Sequence, residues 1–211
     1  MFAALGLVAC GDSDTDPDTF IHGWVIADGP VSGAQVTLLD HQGNVIEGAT
    51  DTSYETGTFS LPLDRVPREF TVVATGGEAN GQAFAGELRA TRLAADLDAG
   101  PIVLTFATTL SSAYASIADA RPDQSDAAVR DFLGIPANID LGEGLRYETE
   151  YFGARAFLDD ALANGGVDSY IARLAEEVGT GNVAVRHYPG IVENDFGIAA
   201  AIRDLVRRGR A

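Results

Sequence analysis

FIHGWVIADGPVSGAQVTLLD, residues 20–40, is the stretch on which the fold turns. Over Phe20–Ala27 the side chains alternate, placing Phe20, His22, Trp24 and Ile26 on one face of an extended strand. Asp28, Gly29 and Pro30 then break the strand, because Gly tolerates positive φ and Pro fixes its own φ in a turn. Ala34–Leu39 resumes the extended pattern. A strand, a tight turn and a second strand rich in β-branched residues start an antiparallel sheet.

Working outward, the same grammar continues to about Thr109. Strands are expected over Val45–Ala49, Thr58–Leu63, Phe70–Ala74, Gln82–Thr91 and Ile102–Phe106, about seven in all with the first two. Asp40–Asn44 and Glu55–Gly57 supply turns between them. Short strands at this spacing predict an antiparallel β-sandwich or barrel. Beyond Thr109 the apolar period shifts from two to about 3.6. Leu110, Tyr114 and Ile117 mark one helix. Val129, Phe132 and Leu133 mark a second, stopped by Gly134 and Pro136. Tyr151, Ala154, Leu158 and Leu162 mark a third. Ile171, Leu174 and Val178 mark a fourth, with Asp168 as its N-cap. Ile198, Ala201, Ile202 and Leu205 mark a fifth. The expected class is α+β: an N-terminal antiparallel β-sandwich over 19–109, then a C-terminal helical domain of four to five helices over 110–211.

Two sub-stretches carry a family resemblance. GWVIADGPVSGAQVTLLD (23–40) and TDTSYETGTFSL (50–61) resemble the carboxypeptidase regulatory-like modules, which are transthyretin-like, Ig-like β-sandwiches. The matching elements are Gly33-Ala34-Gln35-Val36 and Thr56-Gly57-Thr58-Phe59, continued by VATGG (73–77) and FAGEL (84–88). The resemblance covers roughly residues 20 to 110. It implies a rigid spacer or binding surface and no peptidase activity. A metallocarboxypeptidase needs Glu three residues after a ligating His, whereas Val25, Asn44 and Gly190 follow His22, His41 and His187 at that spacing.

The start of the chain carries a second resemblance. Leu7-Val8-Ala9-Cys10, followed by Gly11, resembles a bacterial lipoprotein cleavage-and-acylation site, with Cys10 as the lipid attachment point. Asp12, Asp14, Asp16 and Asp18 follow in a segment too charged and too poor in apolar residues to join a core. Residues 1–18 are thus expected to be a signal-peptide remnant and acidic tether. An EF-hand loop counted from Asp12 would need Gly sixth and a carboxylate twelfth, where Pro17 and Gly23 stand.

Charge narrows the partners further. The 211 residues include 31 acidic and 14 basic side chains, every basic one an Arg, for a formal charge of −17. Such a field repels phosphate backbones, so nucleic acid is an unsuitable partner. Outside the N-terminal stub no apolar run reaches the roughly 18 residues that cross a bilayer. Any membrane attachment is therefore expected through lipid or a removed signal.

Catalytic signatures are weak. Three scattered histidines give no zinc pattern, and the single cysteine gives no pair. There is no GxSxG elbow, and Ser111 and Ser112, at an expected strand-to-helix junction, are expected to cap. Asp159-Asp160 and Glu176-Glu177 are adjacent on helices and point about 100° apart, which suits solvated faces better than an acid–base pair. Gly76, Gly77, Gly81 and Gly86 lack a companion Lys and fit turns or bulges better than a phosphate cradle. Arg207, Arg208 and Arg210 suit the C-terminal end of a helix.

The expectation is a non-enzymatic lipoprotein of the bacterial cell envelope, surface-exposed at the outer membrane or cell surface. It would use no cofactor and no metal, and would present a binding or adhesion surface to an envelope protein or polysaccharide. Tyr54, Tyr147 and Tyr188 are the candidate ligand-binding anchors. A second reading is a subunit of a surface layer or filament that self-associates through strand edges. A third is a hydrolase with an unrecognised acidic site.

Overall fold

The computed structural model describes residues 19–133, 141–142, 161–163 and 165–180. Ten strands come first: β1 (Thr19–Val25), β2 (Val31–Ser32), β3 (Gln35–Asp40), β4 (Val45–Thr52), β5 (Thr58–Leu63), β6 (Glu69–Thr75), β7 (Glu78–Ala79), β8 (Gln82–Ala83), β9 (Glu87–Leu93) and β10 (Ile102–Leu104). A 3-10 turn, Ala94–Ala99, separates β9 from β10. Helices α1 (Phe106–Ala118), α2 (Pro122–Leu133) and α3 (Val167–Thr180) follow. The protein is α+β, with three sheets of mostly antiparallel strands.

One sheet runs β4-β3-β6-β9 and is antiparallel throughout. Another runs β10-β1-β5, and here β10 lies parallel to β1, pairing Gly23 with Ile102. This departs from the all-antiparallel expectation. A hairpin forces antiparallel pairing, but the long connection from Val25 to Ile102 leaves the direction of return open. A third, small sheet joins β2, β7 and β8.

Burial follows the pleat. Ile21 and Val25 of β1, Phe59, Leu61 and Leu63 of β5, and Ile102 and Leu104 of β10 point into one cluster. Val36, Leu38, Phe70, Val72, Ala74, Leu88 and Ala90 enter the same cluster from the four-stranded sheet. On β1 the buried row is therefore Ile21, Gly23 and Val25, while Phe20 is 47% exposed and stacks beside His22 at 6.1 Å. Gly23 explains this choice of face. Without a side chain it leaves a slot that the Phe59 ring of the neighbouring strand fills.

The turn into β5 needs its glycine. Gly57 sits at φ +73°, donates to the Tyr54 carbonyl at 2.8 Å, and accepts from the Val25 amide at 2.8 Å. A side chain there would be strained by the backbone and would press on the Val25 carbonyl.

A buried hydroxyl locks this corner. Ser53 Oγ donates to the Val31 carbonyl at 2.7 Å and accepts from the Ala34 amide at 2.9 Å. Replacing it by alanine strands both groups where little water reaches. Ser53→Ala is expected to cost about 2 kcal/mol, read as a lower urea midpoint with an unchanged slope.

The helices share the core. Phe106, Ala107 and Leu110 of α1, Val129 and Phe132 of α2, and Val167, Tyr170, Ile171 and Leu174 of α3 belong to the same cluster. Helix α1 begins at Phe106, inside the stretch expected to be strand, because β10 ends at Leu104. Thr105 caps it: Thr105 Oγ1 accepts from the Thr108 amide at 3.2 Å, and Thr108 Oγ1 accepts from the Thr105 amide at 2.8 Å. The expected caps, Ser111 and Ser112, instead lie buried in mid-helix. They do different work. Thr109 and Ser112 hydroxyls each accept, at 2.9 Å, from the Arg89 and Thr91 amides on the outer edge of β9. Helix α1 thus covers a strand edge that would otherwise be open to pairing.

Candidate functional site

Among the described residues, a sizeable recess lies between the 3-10 turn and α2. Two requirements on the chain create it. After β9 the chain must swing round to place β10 beside β1, and the turn Ala94–Ala99 makes that detour, pinned by the Leu93 amide donating to Asp96 Oδ2 at 2.9 Å. After α1 it must reverse, and α2 starts at Pro122, a residue suited to a helix's first turn because its missing N–H would have no partner there.

Helix α2 divides by period. Ser125, Val129 and Phe132 are buried against the core. Pro122, Asp126 and Arg130 recur every four residues and form a second stripe, which lines the recess. Arg92 of β9, Asp96 of the turn and Asp123 of α2 complete its charged lining, and Leu97, Pro101, Ile102 and Val103 supply apolar wall. The cavity measures about 660 Å³. That lies within the usual range of small-ligand sites, roughly 300–1,000 Å³.

The charges are not equivalent. Arg92 Nη1 lies 3.5 Å from Asp126 Oδ2, with the two side chains only 13% and 14% exposed. Arg92 Nη1 also donates to its neighbour Thr91's carbonyl at 2.9 Å. Asp126 Oδ1 accepts from Ser111 Oγ at 2.5 Å, Ser111 Oγ lies 3.0 Å from Ser125 Oγ, and Ser125 Oγ donates to the Pro122 carbonyl at 2.9 Å. This chain ties β9, α1 and α2 together and floors the recess. Asp123 pairs at the surface with Arg121 at 3.1 Å. Arg130 stands apart: its Nε is enclosed by protein, has no acceptor, and the guanidinium forms no ion pair with any described residue. An enclosed N–H without an acceptor is costly.

A second recess of about 220 Å³ lies between β9, α1 and α3, lined by Arg89, Thr109, Ser116 and Asp168 among others. Burial pushes the Arg89 guanidinium below its ordinary value, and Asp168 opposes this. Glu87 already pairs with Arg89. The smaller recess therefore offers a less available cation.

Of the residues singled out in the sequence, Tyr54 is 63% exposed on the turn before β5 and does not line the larger recess. Tyr147, Tyr188, Cys10, His187, Asp159 and Asp160 lie outside the described residues, as do the acidic segment 12–18, the fifth helix and the Arg207–Arg210 cluster. His22 and His41 are exposed, on β1 and on the turn after β3. Glu176 is exposed and Glu177 pairs loosely with Arg173 at 4.0 Å, one helical turn away. Gly76, Gly77 and Gly81 take positive φ around β7 and β8, as turn residues do. Asp168 falls in the first turn of α3, which begins at Val167, so it sits near the helix's positive end without being its cap. Among the described residues no three His, Cys, Asp or Glu side chains group to hold a metal ion, and no helix is long and apolar enough to cross a membrane.

Arg92, Asp126 and Arg130 were not distinguished by sequence reasoning. The four-residue spacing of Pro122, Asp126 and Arg130 was visible, but nothing in one chain shows that such a stripe faces a cavity and not solvent. Compared with protein-family models, curated proteins and solved structures, the chain matches none significantly.

Proposed function

We propose that the protein is a non-enzymatic, lipid-anchored binding protein of the bacterial cell envelope, which holds an envelope polysaccharide in the recess between the 3-10 turn and α2. In this reading Cys10 carries the lipid, residues 11–18 are the tether, and 19–109 is a transthyretin-like β-sandwich of the carboxypeptidase regulatory-like kind. The inward rows of the two larger sheets, meeting in one cluster, support the sandwich. The observation that carries the binding role is the cavity of about 660 Å³ with charged and apolar walls, Arg130 among them. Mixed walls of this kind suit a ligand that is polar at its rim and apolar on its faces.

Three carboxylates converge on the recess from the turn and α2, the arrangement that a hydrolase would use. Each is already engaged: Asp96 by the Leu93 amide, Asp123 by Arg121, Asp126 by Arg92 and Ser111. This favours holding a ligand over cleaving it. Assembly through strand edges is disfavoured at β9, where α1 hydroxyls occupy the edge amides.

The test uses polysaccharide extracted from bacterial envelopes. It should raise the melting temperature of the wild-type chain and be recovered intact. Ala99→Trp, placing a large side chain at an exposed lining position, should abolish the shift. No shift, the same shift in both proteins, or shortened polysaccharide would overturn the reading.

A further inference from the structure

The larger recess also carries information about ligand chemistry. Its lining holds three Asp against two Arg, so its formal charge is negative by one. A dianionic phosphate entering it would meet net repulsion, and a monoanion half as much, because Coulomb energy scales with the charge brought in. Arg92 is already committed to Asp126, leaving Arg130 as the cation without a counter-ion among the described residues. A guanidinium edge presents parallel N–H groups that match the two oxygens of a carboxylate. The carboxylates of Asp96 and Asp123 at the rim have acceptor capacity to spare for hydroxyl donors. Leu97, Pro101 and Val103 can take the C–H face of a ring.

Resting on the binding role above, we propose that the recess is a site for a hydroxyl-rich organic monocarboxylate, a uronic acid unit, whose carboxylate is received by Arg130. The ring lies against the apolar wall, and its hydroxyls donate to the Asp96 and Asp123 side. A uronate unit is much smaller than the cavity, so a neighbouring sugar of the same polymer has room beside it.

The experiment is calorimetric titration of the full chain with glucuronate, glucose and glucose 6-phosphate in low salt. Glucuronate should bind at least tenfold more tightly than either companion. Arg130→Gln should weaken glucuronate at least tenfold and Arg130→Lys by less, with glucose unaffected by either. Because Arg130 forms no ion pair among the described residues, both variants should melt no lower than the wild type, which separates lost binding from lost folding. Equal glucuronate affinity in wild type and Arg130→Gln, or preference for the phosphate, overturns the proposal. If glucuronate fails to bind while Ala99→Trp still abolishes the envelope-polysaccharide shift, the carboxylate assignment falls and the recess remains the site. If that shift is also absent, both fall.

Discussion

Gly23→Ala is expected to destabilise the protein by about 3 kcal/mol, the upper part of the ordinary overpacking range. For a chain of this size that corresponds to roughly 10 °C in melting temperature. The cause is space. Gly23 has an ordinary extended backbone, but a Cβ there would fall within the van der Waals envelopes of the Ile102 carbonyl oxygen and the Phe59 ring. The ring can turn aside. The carbonyl cannot, because it belongs to the strand paired with Gly23. Thermal melting should therefore show that adding Phe59→Leu recovers only part of the loss. A Gly23→Ala protein melting within about 2 °C of wild type would show that β10 does not lie against β1 as described.

Asp126→Ala is expected to cost a similar amount, about 3 kcal/mol, because it leaves Arg92 without its counter-ion at a site largely shielded from water. It also leaves the Ser111 hydroxyl short of its strongest acceptor. Asp126→Asn should cost less, since an amide oxygen still accepts from Ser111. Removing both charges, Arg92→Met with Asp126→Ala, should cost clearly less than the two single losses added together. Such non-additivity is the signature of a pair in contact. Additive losses in denaturant unfolding would mean that the pair does not hold α2 onto β9.

Much of the strand order was legible because turn chemistry is local. The turn glycine Gly57 and the apolar residues Phe59, Leu61 and Leu63 place β5 without help from the rest of the chain. The expected single strand Gln82–Thr91 divides into β8 and β9 across residues 84–86, and β8 instead pairs back onto β7 through the turn Asn80-Gly81. Both residues take positive φ, at 51° and 74°, and close the β7–β8 hairpin. Alternation grouped Phe20, His22 and Trp24 correctly on one face of β1, but Ile26, expected with them, lies beyond the strand and is buried, and alternation could not say that this face points outward. That choice depends on Phe59, which comes from another strand and occupies the slot at Gly23. The start of α1 was missed because Phe106 suits a strand as well as a helix. Thr105 and Thr108 held the capping information three residues apart.

The candidate site was hidden for a different reason. Its parts come from β9, a 3-10 turn and α2, joined by a hydroxyl chain through α1. No short motif links Arg92, Asp96, Asp126 and Arg130, and adjacency depends on where the helices dock. The sequence did contain the relevant helix stripe, but the opposite stripe of Val129 and Phe132 was the one that apolar periodicity could reveal.

The central claim is that ligand is held between the 3-10 turn and α2. Hydrogen–deuterium exchange of the full chain, with and without envelope polysaccharide, tests it most directly. The account predicts added protection concentrated in residues 94–103 and 122–130, lost in Ala99→Trp. Protection confined to other segments, such as the exposed aromatic face of β1, or no protection where binding is measured, would contradict it.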